Sequence, residues 1–321
     1  MMHAVINGTG SYLPENRLTN YDLETKLNTS HDWIISRTGI SSRHIASDYE
    51  TTSYMAAQAA KEALSASTIN ADEINLIIVA SCTPDNFFPG TACYVQNALG
   101  IKSFIPALDI GAACSGFVYA MDIAKQYIQT GSAKNVLVIG SEAMSRAVDW
   151  TDRSTCVLFG DGAGAAILSA QERTPENSGI VASVLHASYD AGSLLTYPNR
   201  TSLDKKALIG MRGNEVFKIA VNMMGDIVDE VLEASNLTKA DINWLIPHQA
   251  NIRIIQGIAK KLDLSMSQVI VTIENQGNTS AASIPLALDL AIKEKRIKRG
   301  DLLLLESFGG GMTWGAMVVR Y

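Results

Sequence analysis

One stretch of this sequence occurs twice. Ala71-Asp72-Glu73-Ile74-Asn75-Leu76-Ile77-Ile78 in the first half returns as Ala240-Asp241-Ile242-Asn243-Trp244-Leu245-Ile246 in the second. Each copy reads as a turn feeding a continuous apolar run, as in a strand buried on both faces. The segments after each copy also run in one order. In the first half an apolar run from Phe104 to Ile110 leads to Cys114, an Ala-rich helix pattern, Gly131, the run Val136 to Ile139, a Gly-rich turn and another strand. In the second half Val269 to Ile273 leads to Asn278, a helix pattern from Ala281 to Lys295, Gly300, the run Leu302 to Leu305, Gly309-Gly310-Gly311 and Ala316 to Arg320. This matching order predicts a duplicated α/β unit packed about a pseudo-twofold axis. The polar, turn-rich stretch from Gln171 to Gly179 predicts the junction, dividing the chain into residues 1–172 and 173–321.

Composition narrows the function classes. At 321 residues, 47% hydrophobic and only 18% charged, the chain is expected to be strongly buried, with further apolar surface in a subunit interface. A net charge of −6 supplies no global basic field for nucleic acid. Cys82, Cys93, Cys114 and Cys156 include no Cys-x-x-Cys pair and no histidine at ligand spacing. That argues against a metal site and a disulfide framework, and suits a reducing, cytoplasmic setting. The first residues lack a basic segment followed by an apolar one, so no signal peptide is expected, and no apolar run reaches the ~18 residues of a membrane span.

Three residues carry the candidate chemistry. Cys114 falls where a predicted strand hands over to a helix N-terminus, whose free amides and dipole are expected to draw a thiol pKa toward neutrality. Under the repeat, Asn278 stands at the corresponding junction of the other half. His248 follows the repeated strand, at a strand C-terminal end, where open α/β sheets place ligands. A thiol, an imidazole and a carboxamide are thus predicted to face one crevice. Cysteine with histidine points to acyl transfer through a thioester, with backbone amides from Cys114 and the Gly309–Gly311 turn as an oxyanion hole. These residues alone leave peptide hydrolysis and carbon–carbon bond formation both open. Gly160-Asp161-Gly162 superficially resembles a dinucleotide fingerprint, but it leads into an apolar run rather than a helix and is read as tight packing of two short strands.

The sequence resembles β-ketoacyl-acyl carrier protein synthase III, the initiating condensing family of type II fatty acid synthesis. The resemblance spans the chain. It is carried by Trp33 through Ile40, Asp109 through Phe117, Phe159 through Ala165, Met211 through Lys218, Pro247 through Asn251, Gly277 through Ser283 and Ser307 through Gly311. It implies a thiolase-like αβαβα fold and an acyltransferase acting on acyl-CoA, most simply acetyl-CoA, and malonyl-acyl carrier protein. It implies no cofactor, since acyl-CoA is a substrate. It assigns catalysis to Cys114, His248 and Asn278, the oxyanion hole to the Cys114 and Gly310 amides, and CoA binding to Trp33, Arg37, Arg153, Asn214 and Asn251. Phe88, Phe159 and Leu195 match acyl-pocket positions, with Phe88 reaching in from the partner of a homodimer. Lys218, Arg253, Lys260 and Lys261 match a docking patch for the acidic carrier protein. Ser115 stands where some members carry alanine, and the loops 81–90 and 192–210 vary in the family, which leaves primer choice open.

Overall fold

The computed structural model describes residues 2–172, 179–189, 194–198 and 208–321. The expected junction at 173–178 and much of the 192–210 loop lie outside those residues. The first half runs β1 (Met2–Tyr12), β2 (Arg17–Thr19), α1 (Asn20–Glu24), α2 (His31–Thr38), β3 (Ser42–His44), α3 (Thr52–Ser65), β4 (Leu76–Ala80), α4 (Thr91–Ala98), β5 (Ala107–Ile110), α5 (Gly116–Gln129), β6 (Asn135–Ala143) and β7 (Asp161–Glu172). The second runs β8 (Gly179–Ala187), β9 (Leu195–Thr196), β10 (Gly210–Met211), α6 (Gly213–Ser235), β11 (Trp244–Pro247), α7 (Ile252–Lys261), α8 (Ile273–Gln276), α9 (Ser283–Lys293), β12 (Leu302–Gly309) and β13 (Thr313–Arg320).

The two main sheets repeat one topology. The first has the order β1-β7-β6-β4-β5, and the second β8-β13-β12-β11. Reading each order from its first strand, the first two pairings are antiparallel and the third is parallel in both sheets. The repeated asparagines fix the correspondence. Asn75 N–H donates to Asn135 O, and its Oδ1 accepts the Asn135 N–H at 2.9 Å. Asn243 N–H donates to Leu302 O, and its Oδ1 accepts the Leu302 N–H at 2.7 Å. Asn75 therefore matches Asn243, and Asn135 matches Leu302.

Alternation along the strands makes the layers. Leu76, Ile78, Val136 and Val138 face inward, where α5 and α9 pack between both sheets with Ile246, Leu303 and Leu305. Ile77, Val79, Leu137 and Ile139 face α3 and α4. Leu245, Leu304 and Val318 face α6 and α7. The result is the five-layer αβαβα sandwich that the resemblance implies. Small residues permit the inner layer's close approach: a Cβ on Gly140 would stand 2.2 Å from Ala281 O, and one on Gly164 2.7 Å from Leu286 N.

Three expectations need correction. Val269 to Ile273 is not a strand: Val269 makes one bridge to Leu245, and the chain then turns into α8. Cys156 to Leu158 forms turns and Phe159 makes a single bridge, to Asn278, so Gly160 and Gly162 flank the start of β7 instead of separating two strands. Burying Asp161 there explains this, since its carboxylate accepts the Ala46 and Ser145 N–H groups at 2.7 Å and the Ser145 hydroxyl at 2.6 Å. Finally, Asn278 is not the counterpart of Cys114. Ala113 (φ 47°) and Ser280 (φ 50°) are the matching left-handed residues, so Ala281 corresponds to Cys114 and Asn278 lies three residues upstream.

Candidate active site

The Cys114 turn is held by the other half. Between β5 and α5 the chain makes one 3₁₀ turn, Ala113–Ser115, with Ala113 in the left-handed region. The β12–β13 turn packs against it so closely that a Cβ on Gly309 would lie 2.8 Å from Cys114 N and 3.0 Å from Ala113 Cβ. Thr313 Oγ1 donates to Ala112 O at 2.9 Å, and Ser115 Oγ donates to Thr313 O at 2.8 Å. Ser115 thus adds a tie between the halves. Cys114 is buried, and burial pushes its thiol up to about 12, although a hydrogen bond from Ser280 works the other way. The expected drift toward neutrality is not met in the free chain, because desolvating the thiolate outweighs what the turn offers it.

His248 leaves β11 with its ring in the inner layer. It is 2% exposed, and burial lowers its pKa to about 3, so the imidazole is neutral at physiological pH. Ser283 Oγ, at the start of α9, lies 2.6 Å from Nδ1 and also takes the Gln249 N–H at 3.4 Å. Gln249, itself buried, donates to Pro247 O and Ile270 O and accepts the Thr272 N–H, which locks the segment after the histidine.

Asn278 is held by the first half. Its N–H donates to Leu158 O at 2.8 Å, and its carbonyl accepts the Gly160 N–H at 3.0 Å. Its Oδ1 accepts the Ser280 N–H at 2.8 Å, which leaves the side-chain NH₂ to donate elsewhere. Behind this bridge the buried Arg43 donates to Val157 O at 2.8 Å and Leu18 O at 3.0 Å. Burial lowers this guanidinium to about 10, and it remains a cation. Phe159, on the same bridge, is buried with Leu195 packed at the edge of its cluster, and Leu195 also lies against Gly310.

Known proteins decide the family. Profiles described as 3-oxoacyl-(acyl-carrier-protein) synthase III and its C-terminal part match residues 108–188 and 232–321. The β-ketoacyl-(acyl-carrier-protein) synthase III of Thiobacillus denitrificans is 52% identical over 323 residues, spanning all of both chains. The crystal structure of 3-oxoacyl-(acyl-carrier-protein) synthase III from Aquifex aeolicus superposes with a TM-score of 0.93 at 51% identity, over 99% of this chain and 100% of that one. The chain belongs to the β-ketoacyl-acyl carrier protein synthase III family. A more distant match is the priming β-ketosynthase of the R1128 polyketide pathway, 32% identical with a TM-score of 0.92, over 99% of this chain and 96% of that one.

The synthase III site has an exposed mouth as well as a buried centre. Trp33 and Arg37 lie on the outer face of α2, which is capped by Ser30 and closed by left-handed Gly39. The Arg153 guanidinium sits 5.1 Å from the Trp33 ring centroid, a cation–π pair already formed in the free chain. Asn251 is occupied structurally: its Oδ1 caps α7 through the Arg253 N–H, and its NH₂ donates to Arg37 O at 2.9 Å. Asn214 and Lys218 are exposed on the first turns of α6, and Arg253 lies over Phe217 at 5.3 Å. Lys260 and Lys261 are both exposed, and Lys261 is drawn to Asp226 of α6 at 2.8 Å. Phe88 is 87% exposed and does not line its own chain's cavity, whereas Phe87 does, with Cys82, Thr83, Ala143, Arg146 and Tyr197, around about 660 Å³. Sequence reading missed Ser283, Ser280, Glu142 and Arg43. Glu142 ends an apolar strand much as His248 does, which is the signal that could have found it. Among the described residues no helix is long and apolar enough to cross a membrane.

Proposed function

We propose that this chain joins an acyl-CoA primer, most simply acetyl-CoA, to malonyl-acyl carrier protein by decarboxylative Claisen condensation, through an acyl-Cys114 intermediate. The products are β-ketoacyl-acyl carrier protein, CO₂ and CoA. The observation that carries the reading is the close packing of the Cys114 turn against Gly309 of the other half, together with a neutral, buried imidazole. In the first half-reaction Cys114 sulfur attacks the primer carbonyl and CoA leaves. The amides of Cys114 and Gly310 donate to the oxyanion in that step, and each such donor is worth about 10²–10³ in rate.

In the second half-reaction two neutral donors face the malonyl thioester oxygen. With the Ser283 O–H donating to His248 Nδ1, the imidazole carries its proton on Nε2, and the Asn278 NH₂ is the second donor. Both hydrogen bonds strengthen as negative charge builds on that oxygen during loss of CO₂. The enolate carbon then attacks the Cys114 thioester. A histidine held near pKa 3 suits this role, because it donates without becoming a cation that would hold the departing carboxylate.

CoA enters past Trp33, Arg37, Arg153 and Asn214, with Asn251 setting the wall. Lys218, Arg253 and Lys260, with Lys261 in second rank, receive the carrier protein by charge. The protein works as a cytoplasmic homodimer, with residues 1–172 and 173–321 as its duplicated halves and no cofactor. The exposed Phe88 reaches the partner's cavity beside Phe159 and Leu195, so primer length depends on the dimer.

Intact-mass measurement after incubation with acetyl-CoA tests this. Wild type gains one acetyl group and loses it, with β-ketoacyl product, when malonyl-acyl carrier protein is added, and Cys114→Ala gains none. A gain only with longer or branched acyl-CoA would change the primer, and no gain with any acyl-CoA would reject the covalent route.

A further inference from the structure

Condensation employs His248 and Asn278, yet the first half buries a carboxyl that neither step uses. Glu142, near the C-terminal end of β6, is fully buried. Three successive residues donate to it. Its Oε2 accepts the Thr83 hydroxyl at 2.6 Å and the Ser81 hydroxyl at 3.2 Å. Its Oε1 accepts the Cys82 thiol at 3.1 Å, and the Cys82 N–H points between both oxygens at 3.1–3.2 Å. A carboxylate accepts with both oxygens and donates nothing, so it suits this ring of donors, whereas an amide of the same size would turn two N–H groups against it. Burial raises the Glu142 pKa, and the bonds from Thr83 and Cys82 oppose the rise.

Ser81, Cys82 and Thr83 are the stem of the loop 84–90. Further bonds tighten that stem: Thr83 Oγ1 accepts the Ala143 N–H at 2.9 Å, Ser81 Oγ accepts the Thr83 N–H at 3.1 Å, and Thr83 O accepts the Thr52 hydroxyl at 2.5 Å. The far end of the loop meets a second carboxylate, Asp109, which accepts the Thr91 N–H at 2.6 Å and the Ala92 N–H at 2.8 Å. Between these two clamps Phe87 and Phe88 are largely exposed, so packing within the chain does not decide where they stand.

The stem is also a wall. Cys82 and Thr83 line the cavity of about 660 Å³ with Phe87, Arg146 and Tyr197. Cys82 joins that cavity to the catalytic centre. Its Sγ lies 3.6 Å from Ser280 Oγ, and Asn278 Oδ1 accepts the Ser280 N–H at 2.8 Å. The turn Ser280–Ala282 in turn packs against Ala113–Ser115, the turn that carries Cys114.

We propose that Glu142 is a positioning residue for primer selection: by clamping Ser81, Cys82 and Thr83 it fixes the wall that meets the acyl chain of the primer, and with it the course of the loop 84–90. The role rests on Cys114 being the acylated residue. Glu142 touches none of the reacting atoms and acts through Cys82 and Thr83. Shortening its side chain by one methylene draws the stem toward β6 and deepens the cavity. One methylene in a hydrophobic pocket is worth about 10–200-fold in selection.

Rapid-quench acylation by acetyl-, butyryl- and hexanoyl-CoA, read by intact mass, tests this in wild type, Glu142→Asp and Glu142→Gln. Malonyl decarboxylation on the same preparations is the second readout. In Glu142→Asp the ratio of hexanoyl to acetyl rates is expected to rise about tenfold, and decarboxylation to change by a much smaller factor. In Glu142→Gln the spread among the three primers is expected to narrow, because the stem is held less firmly. If neither variant folds, Ser81→Ala, which removes a single donor, is expected to raise the ratio by a smaller factor. A hexanoyl-to-acetyl ratio that stays level or falls would overturn the assignment. Equal losses for every primer and for decarboxylation would overturn it too, since a carboxyl that only supports the fold gives that result. No adduct on wild type with any of the three would instead remove the Cys114 reading, and the clamp's role with it.

Discussion

The two halves share a frame and differ at its strand ends. Counting from Asn75 and Asn243, Ala80 matches His248 and Glu142 matches Gly309. Counting from Ala113 and Ser280, Gly116 matches Ser283 and Gly111 matches Asn278. In every pair one member is small. Where the second half sets an imidazole against a serine hydroxyl, the first sets a methyl against a glycine, and a Cβ on Gly116 would stand 2.9 Å from Ala80 Cβ. Duplication brings equivalent ends into one crevice, and the crevice has room for one polar side chain per pair. The first half keeps the nucleophile and the buried carboxyl, and the second keeps the neutral donors.

Making the halves more alike should therefore remove chemistry. The largest effect is expected from His248→Ala, which gives the second half the residue of the first. Decarboxylation of malonyl-acyl carrier protein, followed by CO₂ release in a single turnover, should fall about 10²–10³-fold. Acylation of Cys114 should fall far less, and equal losses would mean that the histidine also serves the first step.

Gly309→Ala asks whether that glycine is required by contact. Its Cβ would press on Cys114 N at 2.8 Å and Ala112 O at 3.2 Å, both backbone atoms. Overpacking of this kind costs about 1–3 kcal/mol, read as a drop of several degrees in Tm together with slower acylation. An unchanged Tm would show that the two turns can slide apart.

The smallest effect is on stability against acid. His248 moves from about 6.5 in the unfolded chain to about 3 when folded, so the unfolded state binds the extra proton. Stability from this group is fully present above pH 6.5 and is lost as the pH falls from 6.5 toward 3. The loss reaches about 2 kcal/mol at pH 5. His248→Gln should lose less Tm than wild type between pH 7 and pH 5, and identical slopes would place the acid sensitivity elsewhere.

Much of this frame is legible in the sequence, because buried parallel strands leave apolar runs and a duplication repeats them. The repeat, the Cys114 turn and His248 after β11 can all be read that way. The failures have local causes. Val269 to Ile273 is apolar enough for a strand, but only Val269 pairs, because the chain must turn at once to carry Asn278 to the Leu158–Gly160 segment. Ser280 and Ser283 leave no periodic trace, since each matters through contacts across the layers. The thiol pKa escapes sequence reading because a helix start leaves a pattern and the desolvation of one sulfur does not.

The inner layer also bears on how the protein is made. α5 and α9 are covered by both sheets, so the outward side of α5 and the part of the first sheet that α9 covers stay open until the second half exists. About 150 residues separate the end of β7 from the end of β13. At ribosomal speed that is an interval on the order of ten seconds. For that time the outward side of α5 and the β1–β7 side of the sheet form an apolar plate on a nascent chain. A molecular chaperone would find its substrate there, well before any thioester finds its enzyme.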